Sequence, residues 1–214
     1  MKKRCVAFLL TALLLCQPLL GLAEETAAAL QTEDRVGERG GASFSLPQFG
    51  EEPEINQYYL DLAARLEAGQ LPPGAAWSAE DDGEEPETWT LDYEITRNDA
   101  KYLSVVLHLR QLSGSGETET LSADTFLRGE SSRRITLSEL LGAEAADGDT
   151  KTADLVYELI WEIVQVGMEN VEGDYLDRLE LDSVRSALDP ETDFYLDENG
   201  NIVFFVEPGL LAGE

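Results

Sequence analysis

The stretch from Thr88 to Leu112 constrains the fold most, because apolar and polar residues alternate along it. Trp89, Leu91, Tyr93 and Ile95 occupy every second position, which is the period of a strand with one buried face. The polar run 97–100 then interrupts the pattern, and a second apolar stretch follows over 101–112. The segment therefore predicts an antiparallel β-hairpin.

Other segments add helices and further strands to this hairpin. Ile55, Tyr59, Leu62 and Leu66 recur at three- and four-residue steps, which predicts a helix over 53–68 that ends at Gly69. The remaining elements are predicted as a strand over 118–128, a short helix with Ser138 as N-cap, a long apolar helix over 150–168, short helices over 175–188 and two strands around 198–201. Together they predict a single α+β domain whose antiparallel sheet carries two principal helices packed on it.

The N-terminus has the pattern of a signal peptide over residues 1–23. A basic start precedes an apolar run from Val6 to Leu20, and Gly21-Leu22-Ala23 supplies the small residues that signal peptidase recognises. The run is shorter than the roughly 20 residues that span a bilayer. We therefore expect an exported protein, secreted or held in the cell envelope, with no membrane span once the signal is cleaved.

Two further expectations concern the start of the mature chain. Lipid attachment at Cys16 is the alternative to cleavage after Ala23, but the bulky Leu15 directly before that cysteine argues against it. Residues 24–43 are rich in Ala, Glu, Gly and Thr without apolar periodicity, which predicts a disordered leader. The folded domain is then expected over 44–214.

Few residue types with catalytic or metal-binding chemistry remain in the mature chain. Both cysteines, Cys5 and Cys16, lie within the signal, which excludes disulfides, cysteine nucleophiles and thiolate metal sites. His108 is the only histidine, and its position in the middle of a strand is more typical of a structural residue than of a catalyst. No cofactor, metal site or catalytic residue is predicted. A pair of carboxylates acting on glycans stays open, because sequence spacing does not identify such pairs.

Acidic residues dominate the composition. The formal net charge is −28, and removal of Lys2, Lys3 and Arg4 with the signal would take it to −31. Such a surface repels nucleic acid and anionic membranes, and it attracts cations and basic proteins. The same acidity is also explained by solubility alone.

The segment Asp197-Glu198-Asn199-Gly200-Asn201 resembles part of a calcium loop. With Gly200 as the sixth position, Asp197 and Asn199 fall correctly at positions 3 and 5, but Tyr195 and Val206 occupy positions 1 and 12, where oxygen ligands are needed. A hairpin explains the segment better, because Asn-Gly is the preferred pair of a type I′ turn between alternating apolar residues.

Four segments together resemble a known family. They are 45–59 (SLPQFGEEPEINQYY), 101–109 (KYLSVVLHL), 124–142 (DTFLRGESSRRITLSELLG) and the ending from Phe194, FYLDENGNIVFFVEPGLLAG. In this order they resemble the extracellular domain of RsiV-type lysozyme-sensing anti-sigma factors, and the related non-catalytic domain of PdaC-type peptidoglycan deacetylases. The resemblance covers about residues 44–214. It departs from the family at residues 113–126 (SGSGETETLSADTF), where the family often has a Gly-Gly-Ala-His segment.

The resemblance implies a domain of unknown function with an extracellular binding role. We expect a non-enzymatic domain that recognises a basic protein, such as a lysozyme-like hydrolase, or a cell-wall glycan. The alternative is a carboxylate-dependent hydrolase that acts on wall glycans. Partner contact is predicted at the acidic loop, whose members are Asp81, Asp82, Glu84, Glu85 and Glu87.

Overall fold

The computed structural model describes residues 32–39, 42–70, 72–73, 88–113, 116–142, 148–170 and 179–206. The strands are β1 (Thr32–Arg39), β2 (Ala42–Phe49), β3 (Thr88–Asn98), β4 (Tyr102–Ser113), β5 (Gly116–Leu127), β6 (Arg133–Arg134), β7 (Phe194–Leu196) and β8 (Ile202–Phe204). The helices are α1 (Pro53–Glu67), α2 (Leu137–Leu140), α3 (Gly148–Asn170) and α4 (Leu181–Ala187). Sheet and helices thus coexist, as the α+β class requires.

The chain divides into two compact units. One contains the described residues of 32–134 and 195–203, with β1 to β6, α1 and the turn between β7 and β8. The other contains the described residues of 135–194 and 204–206, with α2, α3 and α4.

The first unit is built on a six-stranded sheet in the order β1-β2-β3-β4-β5-β6. Its centre is the predicted hairpin of β3 and β4, in which Leu91 lies opposite Leu109 and Tyr93 opposite Leu107. These residues face one side, because side chains on a strand alternate in direction. The alternation in the sequence therefore identified both the hairpin and its buried face.

One strand pair corrects the predicted antiparallel sheet. Strands β2 and β3 run parallel, with Ala42 beside Trp89 and Phe44 beside Leu91. Helix α1 lies between these two strands in sequence, and a crossover of this kind returns the chain to the end of the sheet where it began. The sheet is therefore mixed, since β1–β2, β3–β4, β4–β5 and β5–β6 are antiparallel.

Strand β1 lies within the segment that the composition predicts to be a disordered leader. It pairs with β2 along its whole length, from Thr32 opposite Phe49 to Arg39 opposite Ala42. The apolar Val36 is 62 % exposed and adds little burial, whereas backbone hydrogen bonds pair this edge strand with β2. A search for apolar periodicity does not find such a strand.

Helix α1 covers the buried face of this sheet and packs on β2. Pro53 stands in its first turn, where a missing N–H is tolerated, and Gly69 follows its end with a φ of +87°. Its buried side chains are Ile55, Tyr59, Leu62, Ala63 and Leu66. The predicted helix and its apolar stripe are confirmed.

The second unit contains the other principal helix, α3, which contacts the short helices α2 and α4. The predicted N-cap of α2 was wrong, because Thr136 caps this helix. The Thr136 hydroxyl accepts from the N–H of Glu139, and the Glu139 carboxylate accepts from the N–H of Thr136. Ser138 instead donates its hydroxyl to the Glu191 carboxylate at 2.7 Å.

The turn between β7 and β8 is a three-residue loop rather than the predicted type I′ turn. The N–H of Gly200 donates to the carbonyl of Asp197 at 2.9 Å, and the N–H of Asp197 donates to the carbonyl of Asn201 at 3.0 Å. Among the described residues only glycines have positive φ, and Gly200 has a φ of +81°. A type I turn followed by one left-handed residue fits this pattern, whereas type I′ requires positive φ at Asn199 as well.

Candidate functional site

The predicted partner-binding loop of Asp81, Asp82, Glu84, Glu85 and Glu87 lies outside the residues that the structure describes. Its role stays a prediction. On the six-stranded sheet, ionisable side chains form three clusters, and a fourth group organises the turn after β7.

A buried carboxyl, Asp124, forms the first cluster. It lies on β5, on the face that α1 covers, and only 3 % of the residue is exposed. The hydroxyl of Tyr58 donates to its Oδ1 at 2.9 Å, and the hydroxyl of Tyr59 donates to its Oδ2 at 3.3 Å. Arg134 of β6 places its Nε 2.8 Å from the same Oδ1. One carboxyl therefore joins helix α1 to strands β5 and β6.

Burial dominates the electrostatics of this cluster. Desolvation raises the pKa of Asp124, although Arg134 and the hydrogen bonds from Tyr58 and Tyr59 favour the charged form. Desolvation and the nearby Asp124 charge raise the pKa values of both tyrosines, so their hydroxyls remain protonated donors at neutral pH.

The Asp124 carboxyl is poorly placed to act on a substrate, because it is buried and accepts bonds from three side chains. Its geometry suits the anchoring of α1 to the sheet edge. Arg134 is the most exposed member of this cluster, since 42 % of its side chain is accessible to solvent, and Tyr58 is half-buried.

The second cluster surrounds Glu52, the residue before α1. Its Oε1 accepts from Arg128 Nε at 2.7 Å, and its Oε2 accepts from the Ser132 hydroxyl at 2.6 Å. Arg128 also donates to the carbonyl of Asp99 in the turn between β3 and β4. This buried ion pair joins the start of α1 to two turns of the sheet.

His108 belongs to the third cluster, on the opposite face of the sheet. Its Nδ1 lies 3.2 Å from Glu119 Oε1, and its Nε2 lies 3.8 Å from Glu94 Oε2. Arg110, two residues along the strand, pairs with Asp92 and with Glu119. The histidine thus belongs to a cross-strand row of ionisable side chains, and the structural role predicted for it stays a prediction.

Asp197 organises the turn that resembles a calcium loop. Its carboxylate accepts from the N–H groups of Asn199 and Asn201 at 2.9 and 2.8 Å, and from the side-chain amide of Asn201 at 2.8 Å. Desolvation opposes the charge of Asp197, but these hydrogen bonds outweigh it and lower the pKa. The carboxylate oxygens of Asp197 therefore accept hydrogen bonds from within the turn.

Neither a cluster of metal ligands nor a membrane-spanning helix occurs among the described residues. Within the described ranges, no three or more His, Cys, Asp or Glu side chains come together as a possible metal site. No helix among those residues is both long enough and apolar enough to cross a membrane.

The sequence did not single out Asp124 or Glu52. A signal existed for Asp124, which lies two residues before Phe126 and so on the same face of β5 as that buried ring. For Glu52 the signal was weaker, namely an acid directly before the proline that begins α1. The partners of Glu52, Arg128 and Ser132, lie 76 and 80 residues further along the chain. The partner of Asp124, Arg134, lies ten residues further along. Patterns in a single sequence do not identify such pairs.

The comparisons with known proteins found a likeness among solved structures. No protein-family model matches the chain, and no curated protein matches it. The chain is similar to the crystal structure of a DUF3298 family protein from Pseudomonas aeruginosa, at 13 % sequence identity and a TM-score of 0.47, over 86 % of this chain and 98 % of that one. The relation to RsiV-type and PdaC-type proteins stays a prediction.

Proposed function

We propose that this chain is an exported, non-enzymatic binding domain whose ligand is a basic protein of the lysozyme type. One observation carries the proposal: most arginines whose side chains the structure describes form ion pairs with acidic residues of the same chain. The ion pairs are Arg97 with Asp99, Arg110 with Asp92, Arg128 with Glu52, Arg134 with Asp124 and Arg185 with Asp154.

Several of the other acids that the structure describes lie on the surface. Several exposed carboxylates make no ion pair with any residue that the structure describes, namely Glu54, Glu130, Glu158, Glu162 and Glu198. Carboxylates of this kind create a negative potential that accelerates the approach of a cationic protein. The negative formal charge of −28 has the same effect over the whole chain.

The placed titratable groups favour binding over catalysis. Asp124 and Glu52 are buried and hydrogen-bonded, and His108 lies between two glutamates. The alternative, a carboxylate pair that hydrolyses wall glycans, predicts release of soluble sugar from purified cell walls and its loss with a single Asp or Glu substitution. A wall-digestion assay with the mature chain separates the two functions.

The test of binding is calorimetric titration of the mature chain with lysozyme at low and at high salt. We expect binding at low salt that weakens as salt screens the charges. A neutral protein of similar size is the control for nonspecific association. Absence of heat at low salt would remove the lysozyme ligand, and co-sedimentation with cell walls would then test the glycan ligand.

Two variants with equal changes in charge locate the contact. In the first, the five acids of the loop, Asp81, Asp82, Glu84, Glu85 and Glu87, become amides. In the second, five exposed acids elsewhere become amides: Glu130, Glu158, Glu162, Asp182 and Glu198. Loss of binding in the first variant alone supports contact at the loop, whereas equal loss in both means that overall charge attracts the ligand.

A further inference from the structure

Helix α3 carries apolar side chains over a wider arc than is buried. Ile160 and Val164 are buried, whereas Leu155 is 67 % exposed. Leu159 is 37 % exposed and Val166 59 %, and with Leu155 they form one line along the helix, the α3 stripe. At about 100° per residue, Leu155 points roughly 140° away from Ile160, and so does Leu159 from Val164. Packing on one neighbour uses a stripe of about 100°, so the α3 stripe remains available for a second contact.

An acidic row runs beside the α3 stripe. Its members, Asp154, Glu158 and Glu162, are exposed and follow one another at four-residue steps. At about 100° per residue, Glu162 lies roughly 20° and Glu158 roughly 60° from Leu155, both on the side remote from the buried face. Arg185 pairs with Asp154 at 3.4 Å, but Glu158 and Glu162 form no ion pair with any residue that the structure describes. The exposed side of α3 is therefore apolar along one line and negative along the next.

We propose that the α3 stripe and the acidic row together dock a partner helix whose apolar residues are flanked by Lys or Arg. The stripe runs from Leu155 to Val166, about 16 Å along the axis, so the partner contributes about three turns. Helices pack by fitting rows of side chains at three- and four-residue steps into each other, which suits a straight stripe of this kind. The site goes beyond the proposed function, because it recognises a helical segment and does not involve the acidic loop of residues 81–87.

The acidic row decides which helix fits. Charged residues that border an apolar seam set the choice of partner, because opposite charges attract across the seam and like charges repel. A second copy of this chain is disfavoured, since its α3 would bring another acidic row to the interface. An anionic membrane surface is disfavoured for the same reason. A cationic amphipathic helix, by contrast, buries the exposed leucines and neutralises Glu158 and Glu162 at the same time.

Fluorescence anisotropy with three labelled synthetic peptides tests this site on the mature chain. The first peptide is built from Leu, Ala and Lys, with Leu at the a and d positions of its heptads and Lys along one flank. The second has the same composition in a scrambled order that forms no apolar stripe, and the third has Glu in place of every Lys. We expect the first to bind at least about tenfold more tightly than either control, because burial of one leucine side chain alone accounts for such a factor.

Leu155→Gln is the decisive variant, because the side chain is largely exposed and glutamine keeps both the charge and the helix propensity. It should weaken binding of the first peptide about tenfold. Leu60→Gln makes the same change on α1, where Leu60 is 40 % exposed, and should leave binding unchanged. Unchanged circular dichroism spectra verify that both variants are folded.

A second pair of variants tests the acidic row. Glu158→Gln combined with Glu162→Gln should weaken binding of the first peptide about two- to fivefold, since each ion pair between neighbouring helical positions contributes a small factor. Glu130→Gln combined with Glu198→Gln removes the same charge from exposed positions of the other unit and should have a smaller effect.

The docking site would be overturned by no binding of the first peptide, by equal binding of the first and the scrambled peptide, or by equal binding of the Lys and Glu peptides. Equal effects of Leu155→Gln and Leu60→Gln, or of the two pairs of acid variants, would also overturn it. None of these results changes the outcome of the lysozyme titration, so the two proposals fail separately.

Discussion

At the scale of single residues, Asp124 shows how burial and hydrogen bonding oppose each other. Three donors favour its ionised form, yet desolvation has the larger effect and raises its pKa. The carboxyl therefore makes its most favourable contribution to stability when protonated, and it still satisfies Tyr58, Tyr59 and Arg134 as a hydrogen-bond acceptor.

Asp124→Asn tests this balance through the pH dependence of stability. A carboxyl whose pKa is higher in the folded than in the unfolded chain contributes stability below the unfolded value of about 3.9, and this contribution is lost as pH rises through the folded value. The unfolding free energy of the variant, relative to wild type, should therefore increase from about pH 4 upwards.

Urea unfolding of both proteins over a pH series measures this difference, and the titration of all other acids cancels in the comparison. A relative decrease with rising pH would mean that the ion pair with Arg134 outweighs burial.

The turn residues show which details a sequence can predict. Gly200 was expected to be in a turn, and two observations explain why this position holds glycine. Its φ is positive, and the Cβ of any other residue there would lie 2.7 Å from Arg97 Nη1. The predicted turn type and the predicted N-cap of α2 were wrong, because each feature depends on hydrogen bonds among several neighbouring residues. Asp197 and the pair of Thr136 and Glu139 decide these details.

At the scale of elements, the Glu52 cluster connects the start of α1 to the turns of the sheet. Glu52 and Arg128 are both nearly buried, and Ser132 completes the hydrogen bonds of the carboxylate. A buried ion pair adds little stability over an apolar pair, but removal of one partner leaves an uncompensated charge.

Arg128→Ala should consequently be among the most destabilising single substitutions outside the apolar core. We expect the unfolding free energy to fall by about 3 to 5 kcal/mol, because Glu52 would remain buried without its cation. Ser132→Ala, which removes one hydrogen bond and keeps the ion pair, should cost roughly 1 to 3 kcal/mol.

Denaturant unfolding provides both values. The exposed pair of Arg185 and Asp154 supplies the control, since Arg185→Ala should change stability by less than about 1 kcal/mol. Equal effects of Arg128→Ala and Arg185→Ala would show that the buried pair is solvated in solution.

The elements that the sequence predicted are those with strong periodicity. Strands β3 and β4 and helices α1 and α3 each contain enough apolar residues at a regular spacing to be recognised alone. The parallel pairing of β2 with β3 was not predicted, because its partners are 47 residues apart in sequence. Strand β1 was not predicted for another reason: it pairs with the next strand, β2, but it has no apolar alternation. Asp124 was not predicted as a buried carboxyl, because its arginine partner belongs to another strand.

At the scale of the whole molecule, the excess of acids opposes folding as well as aiding solubility. Like charges brought together in a compact chain repel one another, and salt screens this repulsion. Helix α3 concentrates the effect, because its exposed acids Asp154, Glu158 and Glu162 follow one another at four-residue steps along one side.

Glu158→Lys should therefore stabilise the protein at low salt. The lysine would replace two repulsive pairs, with Asp154 and with Glu162, by two attractive ones, and such pairs contribute about 0.2 to 0.5 kcal/mol each in helices. Glu158→Gln, which only removes repulsion, should give about half the gain. Thermal unfolding at about 20 mM and about 500 mM salt distinguishes charge from helix propensity, because the gain should shrink as the Debye length falls. A gain that persists at high salt would mean that the lysine acts through helix propensity or packing, and that the negative charge of the chain costs little stability.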